Sequence, residues 1–188
     1  MRLYVGLVHY PVYNRNRERI ASAITTVDIH DLSRVARTYG VKRFYVVTPL
    51  TDQRRLVGRI LAHWKVGFGA TYNPHRKEAL DLVTVFSSLE EAVVDVGGIE
   101  GERPLLIATD AQRREEGSIS YGMARQILRA SHAVLLLFGT AWGLDREILE
   151  RADYVLEPII GVGRYNHLSV RTAAAITLDR LAGGQDQS

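Results

Sequence analysis

Six apolar runs of strand length alternate along the chain with segments of helical periodicity. The most apolar run covers residues 133–138, and an unbroken run of this kind is typical of a parallel strand buried on both faces. Strands that alternate with helices predict an α/β fold with one parallel sheet and flanking helices, in a single domain of residues 1–188 with a polar tail from about residue 183. The predicted strands cover residues 3–9, 43–48, 82–86, 104–109, 133–138 and 154–156.

Helix signals lie between these runs. Apolar side chains recur at helical spacing after the first run, at Ile29, Leu32, Val35 and Ala36. Asp52 is placed to cap a second helix, Ser88 is placed to cap a third, and the last helix is predicted over about residues 169–181. Stretches rich in Gly or polar residues are predicted as exposed connections, at residues 66–75, 95–103 and 110–120.

The absence of Cys narrows the chemistry that this chain can perform. It excludes cysteine nucleophiles and zinc sites built on thiolates. The six His are scattered without a ligand spacing, so no metal site is predicted. No apolar run approaches the roughly 18–20 residues of a membrane span, and the first residues lack the architecture of a signal peptide. These features predict a cytoplasmic protein without a membrane partner.

The net charge of +3 is divided unevenly along the chain. Residues 1–94 carry 14 Lys/Arg and 8 Asp/Glu, whereas residues 95–188 carry 10 and 13. Only three of these cations are Lys, and the planar guanidinium of Arg suits phosphate recognition. The basic first half therefore permits a nucleic-acid partner, although a biased base composition and an ordinary solvated surface explain the same charge.

Three of the predicted strands end in segments rich in Gly, Pro and small polar residues. These ends cover residues 108–110, 138–144 and 156–163. Ligands of parallel α/β sheets bind at the carboxyl ends of the strands, and Gly lets the backbone approach a ligand closely. Each end by itself is also compatible with a simple strand-to-helix turn, and none matches a phosphate-binding glycine motif. Together they predict one composite pocket that can hold a flat heterocycle such as adenine.

The same residues carry a family resemblance. The segments FGTAWGL at 138–144 and LEPIIGVGRYNHLSVRTAAAITLDRL at 156–181 resemble the two C-terminal motifs of the SPOUT superfamily of RNA methyltransferases. SpoU-type members also place an Arg six residues after an Asn and six before a Gly. Arg34 has that spacing between Asp28 and Gly40, with Asp28 in place of the Asn. The chain looks closest to the small bacterial SPOUT proteins that act on RNA.

This resemblance implies a deep trefoil knot in the C-terminal segment, an exception to the rule that chains do not thread loops. It implies a homodimer with the active site near the interface, S-adenosylmethionine as cofactor and tRNA or rRNA as substrate. By position, the cofactor residues would be Thr109, Asp110, Phe138, Gly139, Thr140, Trp142, Gly143, Leu144, Leu156, Glu157, Pro158, Ile159 and Gly161. A following segment would close over the cofactor with Asn166, His167, Leu168, Ser169 and Val170.

The catalytic candidates lie on the first predicted helix. Arg34 matches the SpoU-type arginine near the reacting ribose, and a plain solvated arginine is its alternative. Asp28 and His30 are candidates because a ribose 2′-hydroxyl or a guanine N1 must lose a proton before methylation. Helix capping by Asp28 or Asp31 and an ordinary surface role for His30 remain open alternatives.

Polar residues near the first strand and helix are predicted to contact RNA phosphates, namely Asn14, Arg15, Arg17 and Arg37. Ser169 stands where SpoU-type enzymes have Asn, and Thr140 stands where many ribose methyltransferases carry Glu. The acceptor therefore remains open between the ribose 2′-oxygen and guanine N1. Two other functions also remain open: a non-catalytic RNA-binding module that keeps the cofactor pocket, and a nucleotide-binding α/β enzyme without a knot.

Overall fold

The computed structural model describes residues 1–114, 117–163 and 165–183, so most of the predicted polar tail lies outside the described residues. Seven strands form one sheet in which every neighbouring pair is parallel. Together with two short strands outside this sheet, the strands in chain order are β1 (Leu3–Val8), β2 (Val12–Tyr13), β3 (Arg19–Ile20), β4 (Arg43–Val47), β5 (Val83–Phe86), β6 (Leu105–Thr109), β7 (Ser118–Ile119), β8 (Val134–Gly139) and β9 (Tyr154–Leu156). Their order in the sheet is β5-β4-β1-β8-β6-β9-β7, and β2 pairs with β3 as a separate antiparallel hairpin.

The parallel sheet and all six predicted strands are confirmed. The hairpin of β2 with β3 and the edge strand β7 were not predicted, because strands of two residues are too short to show a period. Their pairing depends on tertiary contacts: Ser118 and Ile119 of β7 pair with Val155 and Leu156 of β9.

Helices cover both faces of the sheet. They are α1 (Thr26–Thr38), α2 (Thr51–Lys65), α3 (Phe68–Tyr72), α4 (Pro74–Leu80), α5 (Leu89–Glu100), α6 (Tyr121–Arg129), α7 (Arg146–Arg151) and α8 (Val170–Ala182). Residues of α1, α2, α4, α6 and α8 pack on one face, and residues of α5 and α7 pack on the other. The strands between them are therefore buried on both sides, which explains their unbroken apolar runs.

Several predictions about helix ends need correction. Leu50, not Asp52, is the N-cap of α2, because the helix begins at Thr51 and leaves Asp52 in its first turn. Helical residues also occupy much of 66–75 and 95–103, which were predicted as connections. Ser88 does cap α5 by accepting a hydrogen bond from the amide of Glu91.

The carboxyl ends of β8, β6 and β9 lie side by side, because these three strands are neighbours in the sheet. The β2–β3 hairpin follows β1 and joins this edge through its backbone. Tyr13 donates its amide to the carbonyl of Gly143 across 3.1 Å, and the amide of Trp142 donates to the carbonyl of Tyr13 across 2.9 Å. Within the described residues, no helix has the length and apolar character needed to cross a membrane.

Candidate functional site

A cavity of about 1220 Å³ opens at the carboxyl ends of β6, β8 and β9. Every residue predicted to hold the cofactor lines it except Gly161. The wall ends before Gly161 because the chain turns outward there: the side chain of Ile160 is 68% exposed and Val162 is fully exposed. The composite pocket predicted from three separate strand ends is thus one continuous space.

The turn after β8 is tightly closed. A Cβ on Gly139 would lie 2.5 Å from the amide nitrogen of Leu144, so only glycine allows the two ends of this turn to meet. Gly143 adopts a φ of +97°, which a residue with a side chain rarely accepts. Thr140 is buried, and its hydroxyl donates to the carbonyl of Val8 across 3.1 Å. The hydroxyl of Thr140 therefore holds the turn against β1.

The segment before α8 covers the cavity. Asn166 donates from Nδ2 to the carbonyl of Ala111 across 3.3 Å, which ties this segment to the loop after β6. The ring of His167 lies edge-on to Trp142, with centroids 6.5 Å apart. Ser169 is the N-cap of α8 and accepts from the amide of Thr172 across 3.2 Å. Ser169 therefore has a structural role at the position where the related motif carries Asn.

The polar residues on the opposite wall also make internal hydrogen bonds. The Thr109 hydroxyl donates to the carbonyl of Leu137 across 2.9 Å, so it joins β6 to β8. Asp110 accepts from the amide of Gln112 and from Nε of Arg114, at 3.0 and 3.2 Å. One carboxylate oxygen of Glu157 accepts from the amide of Tyr121 across 2.7 Å.

Asp28 reaches the cavity from the first turn of α1. It is 6% exposed, and its two carboxylate oxygens have different partners. Oδ2 accepts from the hydroxyl of Thr25, and Oδ1 pairs with Nη1 of Arg171 on α8, both at 2.5 Å. The N-cap of α1 is Thr25, so neither Asp28 nor Asp31 caps this helix.

Arg34 and His30 do not line the cavity of their own chain. Arg34 is exposed on α1. The ring of His30 packs edge-on against Trp64 of α2, with centroids 5.4 Å apart. Burial lowers the pKa of His30, and the neighbouring cations Arg76 and Arg34 lower it further against the opposing effect of Asp31.

The four residues predicted to contact RNA divide into two pairs. Arg15 and Arg17 lie on the β2–β3 hairpin and line the mouth of the cavity. Asn14 instead forms the hairpin turn, since its Oδ1 accepts from the amides of Asn16 and Glu18 at 2.8 and 3.0 Å. Arg37 forms an ion pair with Glu78 between α1 and α4, away from the cavity.

A polar pair at the cavity wall, formed by the buried His9 and the half-buried Ser22, was not predicted as part of a site. His9 is fully buried, and its Nδ1 lies 3.0 Å from Oγ of Ser22, which itself lines the cavity. Burial lowers the pKa of His9 to about 4, so this imidazole is neutral. No sequence signal marks Ser22, because it comes from the irregular segment after β3. Other lining residues that sequence reasoning missed are Tyr13, Ala23, Ala111, Gln112, Arg114, Tyr121, Arg146, Leu149, Arg171, Ala173 and Thr177.

Within the described ranges, no group of three or more His, Asp or Glu side chains is arranged to hold a metal ion. The parallel sheet, with a cavity at the carboxyl ends of adjacent strands, defines an α/β protein that binds a small ligand at this edge. Residues 2–183 match the family described as SAM-dependent RNA methyltransferase, where SAM is S-adenosylmethionine. The chain belongs to this family.

Named relatives and solved structures agree with this membership. The tRNA (guanine-N(1)-)-methyltransferase of Oleidesulfovibrio alaskensis is 48% identical over 181 residues, which are 96% of this chain and 42% of that protein. An uncharacterized protein of Aquifex aeolicus is 38% identical over 95% of this chain and 87% of its own length. The SpoU methyltransferase AviRb from Streptomyces viridochromogenes, in complex with AdoMet, has a TM-score of 0.59 at 16% identity, covering 95% of this chain and 58% of that one. The fold is therefore that of the SpoU methyltransferases.

Proposed function

We propose that this chain transfers a methyl group from S-adenosylmethionine to a nucleotide of RNA. The observation that carries the proposal is the single cavity in which the strand ends of β6, β8 and β9 meet the segment before α8. The name of the 48% identical relative favours tRNA as the substrate and guanine N1 as the acceptor, and the resemblance to SpoU-type enzymes favours the ribose 2′-oxygen. A tRNA or rRNA substrate would place the protein in the cytoplasm.

The cavity suits this cofactor in shape and chemistry. Phe138, Leu156 and Ile159 give it apolar walls for a flat base. The amides of Ile159 and Ile160 donate to no backbone carbonyl of the described residues, and we propose that they bind the edge of a heterocycle. Asp110 has acceptor capacity left for ribose hydroxyls. The cavity volume of about 1220 Å³ exceeds the roughly 300–1,000 Å³ of common ligand pockets, which leaves room for a reacting nucleotide.

When bound, the cofactor supplies a methyl group on a sulfonium that is already activated for transfer. The chain's own task is to align an acceptor atom and to exclude water. The segment with Asn166, His167 and Leu168 covers the cavity beside Trp142, and it would exclude water from the bound cofactor. Arg15 and Arg17 at the mouth would bind the phosphates that flank the acceptor.

A homodimer would complete this site. Arg34 lies outside the cavity of its own chain, and in the proposed dimer a second copy would bring it to the reacting nucleotide. Exposed apolar side chains near the cavity mouth form a surface for that contact, at Ile160, Val162, Tyr165 and Leu168. As the resemblance implies, the segment that carries them would be knotted, with the described residues forming one domain.

Two measurements test the proposed function. Calorimetric titration with S-adenosylmethionine should detect binding, and no heat at millimolar cofactor would remove the assignment. Tritiated methyl transfer should then be followed to bulk RNA from a strain that lacks the protein. Mass spectrometry of the product nucleosides separates 1-methylguanosine from a 2′-O-methyl nucleoside.

Arg34→Ala should abolish methyl transfer and leave the affinity for S-adenosylmethionine unchanged. Arg129→Ala is the matched control, because Arg129 is equally exposed at the end of α6 and lies outside the cavity lining. Equal turnover of both variants would show that Arg34 has no role in the reaction.

A non-catalytic RNA-binding module that keeps the cofactor pocket is a second candidate. Two observations favour it: Arg34 lies outside the cavity of its own chain, and Ser169, at the position of the motif Asn, serves as the N-cap of α8. Cofactor binding and RNA binding by the wild-type chain without any methyl transfer would support this second candidate.

A further inference from the structure

Three exposed apolar side chains lie together on the far side of the fold from β7. Phe68 and Tyr72 are one turn apart on α3, with their rings stacked at a centroid distance of 5.9 Å and an interplanar angle of 24°. They are 76% and 74% exposed, and Val66 beside them is 88% exposed. We call these three residues the aromatic platform. None of them lines the cavity.

The fold holds this platform outward through the base of α3. Gly69 packs directly on Trp64, and a Cβ there would come within 2.6 Å of the indole ring. The guanidinium carbon of Arg76 lies 4.5 Å from the ring centroid of Trp64. Trp64 thus anchors the inner side of α3, and Phe68 and Tyr72 are left on its outer side.

The surroundings of the platform are strongly basic. Residues 53–77 contain six Lys/Arg and two His without any Asp or Glu, although the whole chain carries only +3. Arg55, Arg59 and His63 are all exposed and follow one another at intervals of four on α2, so they share one helix face. This basic stripe covers about 12 Å along the helix axis and ends at the residue preceding Trp64.

We propose that the aromatic platform stacks an unpaired base of the RNA substrate, and that the basic stripe binds the adjoining phosphates. The proposal rests on the proposed function for the choice of RNA. Aromatic rings beside a basic track are the arrangement by which proteins bind single-stranded nucleic acid. The platform would recognise an RNA segment away from the reacting nucleotide, because β5 and β8 are three strand spacings apart, or about 14 Å.

Helix α1 connects the two places. Asp28 in its first turn lines the cavity, and His30 packs against Trp64 below the platform. Arg34 shares the exposed side of α1 and lies close enough to His30 to lower its pKa. A strand of RNA bound at the platform could therefore extend along α1 toward the cavity.

The local chemistry favours RNA over a membrane or a second protein. A membrane-bound amphipathic helix needs a broad apolar face, whereas α3 has five residues and presents two rings. A protein partner that covers apolar area would not need the dense positive charge around it. Asp52 and Asp81 pair with Arg55 and Lys65 at the two ends of this region, and the excess of Lys and Arg over these carboxylates fits a phosphate backbone.

The test compares the full chain with Phe68→Ala/Tyr72→Ala, using fluorescence anisotropy on end-labelled bulk tRNA at several salt concentrations. Loss of stacking should weaken binding by about 5- to 150-fold, because alanine substitution costs about 1–3 kcal/mol per stacked base. Arg55→Ala/Arg59→Ala should weaken binding and flatten the salt dependence by about two phosphate contacts. S-adenosylmethionine affinity and melting temperature should stay at their wild-type values in both.

Phe68→Tyr/Tyr72→Phe keeps both rings and should bind tRNA like the wild type, whereas Phe68→Leu/Tyr72→Leu keeps apolar area without rings and should bind weakly. Val94→Ala is the control for an exposed apolar residue on the other face of the sheet. Unchanged tRNA affinity in the double alanine variant overturns the platform. If the double alanine variant binds tRNA normally but no longer binds phosphatidylglycerol vesicles, the platform is a membrane contact and the proposal is overturned. If it binds tRNA normally but no longer forms a dimer in sedimentation, the platform contacts a second copy and the proposal is likewise overturned. Absence of methyl transfer by the wild type would instead overturn the proposed function and leave the tRNA result standing.

Discussion

Arg171 on α8 pairs with Asp28 on α1, with 2.5 Å between Nη1 and Oδ1. The side chain of Asp28 is 8% exposed and that of Arg171 is 35% exposed, so the pair is largely shielded at the edge of the cavity. It joins the first helix of the chain to the last one. The pair therefore helps to hold α1 and α8 together at the edge of the cavity.

Removal of the cation from this pair should destabilise the fold. Arg171→Ala leaves a buried carboxylate with only Thr25 as a side-chain partner, and we expect a loss of about 1–3 kcal/mol in the free energy of unfolding. Urea denaturation measures it. Arg146→Ala is the control, because it breaks an exposed pair with Glu150 and should leave the free energy of unfolding nearly unchanged. Equal effects in the two variants would contradict a structural role for Arg171.

The buried imidazole of His9 should make stability depend on pH. Burial lowers the pKa of His9 to about 4 in the folded chain, against the nearby Asp28, which raises it. The unfolded chain, with an ordinary pKa near 6.5, binds the proton first as pH falls. The neutral His9 therefore leaves the free energy of unfolding at its full value above pH 6.5. As pH falls from 6.5 toward 4, proton binding by the unfolded chain lowers this free energy by up to about 3 kcal/mol.

His9→Gln should accordingly reduce the change in unfolding free energy between pH 7 and pH 4, measured by urea denaturation at each pH. His132→Gln replaces an exposed histidine and should leave the wild-type profile in place. A His9→Gln profile parallel to that of the wild type would refute the assignment of this dependence to His9.

The carboxylate of Glu100 should make stability depend on pH in a more acidic range than His9 does. Hydrogen bonds from Lys42, Tyr4 and Arg2 lower its pKa to about 2. The stabilisation is complete above the ordinary carboxyl range and is lost as pH falls from about 4.5 toward 2. Glu100→Gln should thus be less stable than the wild type at pH 7, and the difference should shrink in acid. Glu150→Gln, at an exposed helix position, should show no such convergence.

The turn after β8 should not accept a side chain at Gly139. Its Cβ would meet backbone atoms of Gly143 and Leu144 at 2.8 and 2.5 Å, and backbone cannot move aside as a flexible side chain does. Gly139→Ala should therefore lower both the melting temperature and the affinity for S-adenosylmethionine. Gly98→Ala on α5, where a Cβ meets nothing within 4 Å, should instead raise stability by about 1 kcal/mol. Calorimetry of the two variants would separate crowding in the turn from a general effect of alanine.

The sequence indicates the sheet well because its strands are buried on both faces. Burial on two sides leaves an unbroken apolar run, as in β8, and such runs are readable without neighbours. The start of α2 was not readable, since Asp52 has the right residue type for a cap but lies in the first turn. Residue preference alone does not fix the position at which a helix begins.

The cavity was predictable where it is made of strand ends and not where it is made of helix faces. Loops that follow neighbouring parallel strands have to meet at one edge, so Thr109, Gly139 and Glu157 converge as expected. Arg171 escaped prediction because its contact with Asp28 depends on how α1 and α8 pack. Helical spacing likewise did not show that His30 faces Trp64 and not the cavity.

The backbone hydrogen bonds between Tyr13 and the turn at Trp142 and Gly143 have an energetic consequence. One segment carries the arginines at the cavity mouth, and the other forms the cavity wall. A ligand that orders one of these segments also restricts the other, and so reduces the conformational-entropy cost of binding a second ligand there. If the proposed function holds, S-adenosylmethionine and RNA should therefore bind with positive cooperativity, and by thermodynamic reciprocity each should increase the affinity for the other by the same factor.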